Sequence, residues 1–186
     1  MLLYCECRDL LPTLPAASAR TCLTHPPYWQ AHGDDELGGE PTEAAYVTHL
    51  VDALHGVRRV LQPDGDLWLL LDTSTVVPAL VSEGWRWTQT MKIEGQCLMH
   101  FGPRAGQLPE TGPAVSLPVV ALDHYRPWHG PLVSRCLAAS TAEGDLVLDP
   151  FCGIGTTGRV ALATGRRFVG IERSPIAYAA ACVYVQ

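Results

Sequence analysis

No Cys-x-x-Cys pair occurs in the sequence, although it carries seven cysteines. That absence removes the common ligand spacings of zinc ribbons and the thioredoxin-type redox motif. Only Cys5 and Cys7 lie close together, and the odd total argues against a closed disulfide framework, so the thiols read as reduced, as in a cytoplasmic protein. His124, His129 and Cys136 have a spacing that fits no common zinc finger, and no metal is assigned. No apolar run reaches membrane-spanning length. The start, Met1-Leu2-Leu3-Tyr4, turns polar at once and lacks a signal-peptide profile. Repeats and low-complexity tracts are also missing. Lysine is nearly so: 12 of the 13 basic residues are arginine, a bias that a GC-rich genome produces as readily as phosphate recognition does. The net charge of −6 argues against a broad non-specific nucleic-acid face but leaves room for a local basic cleft.

What is present is a globular composition, 47% hydrophobic and 17% charged, in a length of 186 residues that suits one domain. Proline and glycine divide it into alternating elements. Leu2–Cys5 is a short apolar start, Thr21–Thr24 reads as a short strand, and Gln30–Pro41 as a polar loop. Tyr46, Leu50, Leu54, Val57 and Leu61 recur at helical spacing behind a Thr42 cap, and Gln62-Pro63-Asp64-Gly65 is expected to stop that helix. Leu67–Leu71 is a continuous apolar run, as buried parallel strands require. A short helix is predicted over Val76–Glu83, and two strands over Trp85–Ile93 and Gln96–Phe101, joined by a turn at Glu94-Gly95. Pro103–Pro118 is expected to be irregular, and Pro131–Ser140 helical. Leu146–Asp149 and Phe168–Glu172 read as strands, each followed by a helix, the last over Ile176–Val185. This alternation predicts an α/β fold with a mostly parallel sheet, helices on both faces, and a ligand beyond the carboxyl ends of the strands.

The most specific segment is Asp149-Pro150-Phe151-Cys152-Gly153-Ile154-Gly155-Thr156-Thr157-Gly158, between a strand and a helix. Gly153 and Gly155 let the backbone approach a ligand where a Cβ would clash. Glu172 ends the next strand, where a carboxylate can accept from both hydroxyls of a ribose.

The stretch from Gly144 to Pro175 resembles the cofactor half of the permuted-type (beta-class) DNA amino-methyltransferases, which act on cytosine N4 or adenine N6. Its DPFxGxGTTG pattern is matched in full, and Gly170-Ile171-Glu172-Arg173-Ser174-Pro175 matches GIExxP. The resemblance implies a Rossmann-like class I methyltransferase fold. It also implies S-adenosyl-L-methionine as cofactor, held by Asp149, Phe151, Gly153, Gly155, Thr156, Thr157 and Glu172. Cys5-Glu6-Cys7 resembles the family's Gly-Asp-Cys, which would put Glu6 at the cofactor's adenine.

Thr24-His25-Pro26-Pro27-Tyr28-Trp29 stands where the family carries (Asp/Asn/Ser)-Pro-Pro-(Tyr/Phe). An exocyclic amine on a base is a poor nucleophile, because its lone pair is delocalised into the ring. Two acceptors on its hydrogens pull the nitrogen toward a tetrahedral geometry. In the family these are the first residue's side chain and the carbonyl of the first proline, here His25 and Pro26. Pro27 adds rigidity, and Tyr28 would stack on a flipped base. His25 departs from the pattern: a neutral imidazole offers one acceptor nitrogen, an imidazolium none.

The resemblance implies a DNA methyltransferase with a catalytic half over 1–102, a target-recognition insert of only 103–122, and a cofactor half over 123–186. DNA is the expected partner, its base flipped from a duplex or taken from a single strand. In so short an insert, Arg104 and Gln107 are the obvious readers, with Arg126 just beyond it, so sequence choice is expected to be weak or to depend on a specificity partner or a homodimer. The alternatives are a lapsed cofactor-binding module and a methyltransferase acting on RNA or a protein amide.

Overall fold

In the computed structural model, which describes residues 1–31, 37–93, 95–103, 108–110, 112 and 130–185, the apolar runs lie side by side in a seven-stranded sheet. The strands are β1 (Leu2–Tyr4), β2 (Ala19–Thr24), β3 (Leu61–Leu71), β4 (Trp87–Ile93), β5 (Gln96–Phe101), β6 (Leu146–Asp149) and β7 (Arg167–Glu172). Their order across the sheet is β1-β7-β6-β2-β3-β5-β4. The first five in that order are mutually parallel, and β5 and β4 close the far edge as an antiparallel hairpin. The described helices are α1 (Cys7–Leu10), α2 (Glu43–Val60), α3 (Val77–Ser82), α4 (Gly130–Ser140), α5 (Thr156–Ala163) and α6 (Pro175–Tyr184). None of them is long and apolar enough to cross a membrane.

β3 shows why a continuous apolar run forms a central strand. Alternate side chains point to opposite faces. Leu67, Leu69 and Leu71 join a core with Tyr46, Leu50, Leu54 and Val57 of α2. Trp68 and Leu70 join the opposite core, with Leu132, Val133, Cys136 and Leu137 of α4 and Val160 of α5. Leu67, Leu69 and Leu71 have no exposed surface, and each such leucine contributes roughly 1.5–3 kcal/mol of burial. The Thr42 hydroxyl accepts the Ala45 N–H at 3.2 Å, capping α2 as its sequence predicts.

Two expectations change, and two short elements are added. Helix α2 passes directly into β3, and the predicted stop at Gln62–Gly65 is a bulge inside the strand. Ala19 pairs with Leu61 and Thr21 with Asp66, so the segment between them is extruded; Pro63 cannot donate to a ladder and is tolerated there. The chain after β1 forms α1 and a 3-10 turn over Leu11–Thr13, elements too short to carry a helical period. Trp85 lies outside β4 and fills the core against Phe101, with ring centroids 6.2 Å apart.

From β2 the chain proceeds to the neighbouring β3; from β6 it proceeds to β7, on the other side. The strand order therefore reverses between β2 and β6, the crevice where such sheets bind ligands.

Candidate active site

Both sequence motifs open at that crevice. Thr24 ends β2 and Asp149 ends β6, and the Thr24 hydroxyl donates to Oδ1 of Asp149 at 2.7 Å. Both residues are fully buried. The Phe151 N–H donates to the same oxygen at 3.2 Å. Burial pushes the Asp149 carboxyl up to about 6; the Thr24 and Thr157 hydroxyls and the Phe151 N–H oppose that rise, and the negative charge of Glu172 adds to it. One carboxyl thus ties the start of the His25-Pro26-Pro27-Tyr28 loop to the start of the glycine turn.

The turn is held from β7. The Cys152 N–H donates to the Ile171 carbonyl at 3.0 Å. Glu172 is no surface glutamate: only 8% of it is exposed. Its Oε2 accepts the Gly153 N–H at 2.8 Å and its Oε1 the Ser174 N–H at 2.7 Å. Burial raises the Glu172 pKa, against the pull of the Ser174, Gly153 and Arg173 N–H groups and the Arg173 charge. Gly155 precedes α5 with φ of +90°, and a Cβ there would clash with Cγ2 of Val185. The glycine is therefore demanded by the packing of the turn against the segment that ends α6, a constraint different from the expected clearance for a ligand. Thr156 and Thr157 start α5 and are buried, and Phe151 is partly buried.

Glu6 follows β1, whose Tyr4 pairs with Glu172, so both carboxylates sit at neighbouring strand ends. Arg173 Nη1 lies 3.2 Å from Glu6 Oε2, and Arg8 Nε 3.5 Å from Oε1. Burial would raise the Glu6 pKa, but the Cys7 thiol, the Arg8 N–H and the charges of Arg8 and Arg173 outweigh it and hold the carboxylate below its usual range.

In the loop after β2, Pro26 is buried, His25 and Pro27 are partly buried, and Tyr28 is exposed. The Tyr46 hydroxyl of α2 donates to the Pro27 carbonyl at 2.9 Å. Trp29 Nε1 donates to the Glu40 carbonyl at 2.9 Å. The buried Glu40 carboxylate accepts the Gly38 N–H at 2.9 Å and sits 3.0 Å from Nδ1 of His49. Gly38 has φ of +98°, and a Cβ there would come within 2.6 Å of the Tyr28 carbonyl oxygen. From β5, the side-chain amide nitrogen of Gln96 lies 3.2 Å from Nε2 of His25.

Residues 130–181 match the model of the DNA methylase family, N6_N4_Mtase. The type II methyltransferase M.XycI of Xanthomonas campestris pv. cyanopsidis is 25% identical, over 89% of this chain and 81% of the relative. The fold matches that of the cytosine-N4-specific PvuII DNA methyltransferase with a TM-score of 0.77 at 18% identity, covering 100% of this chain and 86% of the other. It matches the M1.HpyAVI–SAM complex with a TM-score of 0.70 at 15% identity, covering 100% of this chain and 98% of the other.

The matched segment carries the glycine turn and Glu172, and the sheet brings the His25 loop to it. Arg104, Gln107, Arg126, His124 and His129 lie outside the described residues. Cys136 is buried in α4. Sequence reasoning missed Thr24, Glu40, Tyr46 and Gln96 as parts of the site. Tyr46 carried a signal: a buried tyrosine hydroxyl needs a partner. Gln96, an ordinary strand residue, carried none.

Proposed function

We propose that this chain transfers the methyl group of S-adenosyl-L-methionine to the exocyclic amine of a DNA base, cytosine N4 or adenine N6. The observation that carries the reading is the buried Thr24–Asp149 hydrogen bond, which holds the amine-binding loop and the glycine turn at one crevice.

The residues present fit this cofactor. Gly155 precedes helix α5 and offers no side-chain cap, so no side chain competes for the N–H groups of the first turn, which could hold a carboxylate. Each Glu172 oxygen accepts one backbone N–H and retains a further lone pair for a ribose hydroxyl. Glu6 stands at the adjacent strand end, toward the adenine. Asp149 serves through the turn, because its carboxyl is fully buried. When bound, S-adenosyl-L-methionine supplies an electrophilic methyl on a positively charged sulfur.

The chain's own residues prepare the amine. The Pro26 carbonyl and the neutral His25 imidazole accept its two hydrogens and return the lone pair to nitrogen. Tyr46 fixes the neighbouring Pro27 carbonyl, so the peptide carrying the acceptor is set before the base arrives. Tyr28, exposed at the rim, offers its face to the flipped base. The basic nitrogen of His25 takes the proton that the methylated amine sheds.

The unit comprises a catalytic half over 1–102, an insert over 103–122 and a cofactor half over 123–186. So small an insert and a net charge of −6 favour weak sequence selection by the chain itself, with a partner protein or a second copy supplying more. The test is incubation of the chain with methyl-labelled S-adenosyl-L-methionine and duplex or single-stranded DNA, followed by nucleoside mass spectrometry. Labelled N4-methylcytosine or N6-methyladenine is expected. Label confined to RNA or protein substrates would overturn the assignment.

A further inference from the structure

The contact between Gln96 and His25 joins residues 71 positions apart. Gln96 opens β5, and β3, which lies between β2 and β5, ends at Leu71, so the Gln96 side chain reaches over the end of β3 to the loop after β2. The group it presents to Nε2 is a planar, conjugated –NH2. An amide nitrogen has no lone pair to offer and only donates. The bond therefore requires an unprotonated Nε2, and in the neutral ring the proton must sit on Nδ1.

We infer that Gln96 is a positioning residue that sets His25 in the Nδ1–H tautomer, so that Nε2 is the acceptor waiting for the target amine. The inference rests on the methyl-transfer reading above. A free imidazole prefers the opposite, Nε2–H form, which would turn a donor toward an amine that is itself a donor. The Gln96 amide hydrogen holds the place that the amine hydrogen takes, and it gives way when the base enters. Other titratable or charged groups are brought to the same strand ends. Asp72 follows β3. Lys92 of β4 lies 2.9 Å from the Cys97 thiol of β5. Tyr46 comes from α2 and Asp149 from β6. Variants are therefore chosen that change only the group facing Nε2.

The test is an imidazole 15N–1H correlation spectrum of the full chain without cofactor or DNA, with the His25 signal identified by its loss in His25→Ser. In the wild type, the proton is expected on Nδ1. Gln96→Leu should return the ring to the Nε2–H form, and Gln96→Glu should place a proton on Nε2 at neutral pH. A wild-type ring protonated on Nε2, or a tautomer unmoved by either substitution, overturns the inference whether or not the chain methylates DNA. In single-turnover methyl transfer, Gln96→Leu should slow the step by roughly two- to twelve-fold, the equivalent of one neutral hydrogen bond, with cofactor affinity unchanged. Gln96→Glu should move the acidic limb of the pH profile upward. Neither change should alter rate or profile in a His25→Ser background, and an equal effect there would make Gln96 merely structural.

Discussion

Replacing Asp149 by asparagine is expected to change how stability depends on pH. The wild-type carboxyl is fully buried, and its pKa rises from 3.8 to about 6 on folding. A carboxyl whose folded pKa is raised favours the folded state in its protonated form. Its contribution is fully present below 3.8 and is lost as the pH climbs through about 6. A shift of roughly two units corresponds to about 3 kcal/mol. Asparagine has nearly the same shape and does not titrate. Its Oδ1 can still accept from the Thr24 hydroxyl and the Phe151 N–H, the two groups that bond Asp149 at 2.7 and 3.2 Å. The Thr157 hydroxyl beside it can turn to accept from the new amide. The difference in unfolding free energy between variant and wild type should therefore move by about 2–3 kcal/mol in favour of the variant between about pH 4 and about pH 7. Urea unfolding of both proteins across that range measures the difference, and every group they share largely cancels. Parallel curves would show that Asp149 does not titrate with a raised pKa, and the reasoning about its burial would fail.

Gly155→Ala should lower the unfolding free energy by about 1–3 kcal/mol, because its Cβ meets Val185 and its φ is left-handed. Val185→Ala should recover part of that loss in the double variant, and a melting temperature unchanged by Gly155→Ala would refute the packing argument. Tyr46→Phe removes the donor to the Pro27 carbonyl and should slow methyl transfer several-fold at a stability cost of about 1 kcal/mol, with calorimetric cofactor affinity unchanged; an unaltered rate would mean the loop needs no such fixing. Glu172→Gln should weaken S-adenosyl-L-methionine binding by calorimetry at some cost in stability, because its NH2 faces one of the two N–H donors, whereas Glu172→Ala should lose more stability, since Gly153 and Ser174 then both lose their acceptor. Equal cofactor affinity in all three proteins would remove Glu172 from the cofactor site.

Local chemistry made much of this protein legible in its sequence. A short apolar run such as Leu67–Leu71, bounded by turn residues, reads as a buried strand. A glycine turn after an apolar strand, with Glu172 at the end of the next, marks a ligand site within a short window of chain. Two prolines before Tyr28 stiffen a loop wherever that loop lies. The tertiary structure alone decided what these pieces do to one another. Thr24 and Asp149, 125 positions apart, meet because β2 and β6 are neighbours in the sheet. Tyr46 looked like one more apolar position of a helix, and its hydroxyl found Pro27 only once α2 lay against the sheet. Gln96 reaches His25 because β5 pairs antiparallel to β3 and so begins where β3 ends. Strand adjacency and register depend on how the whole core packs, and no window of sequence contains them.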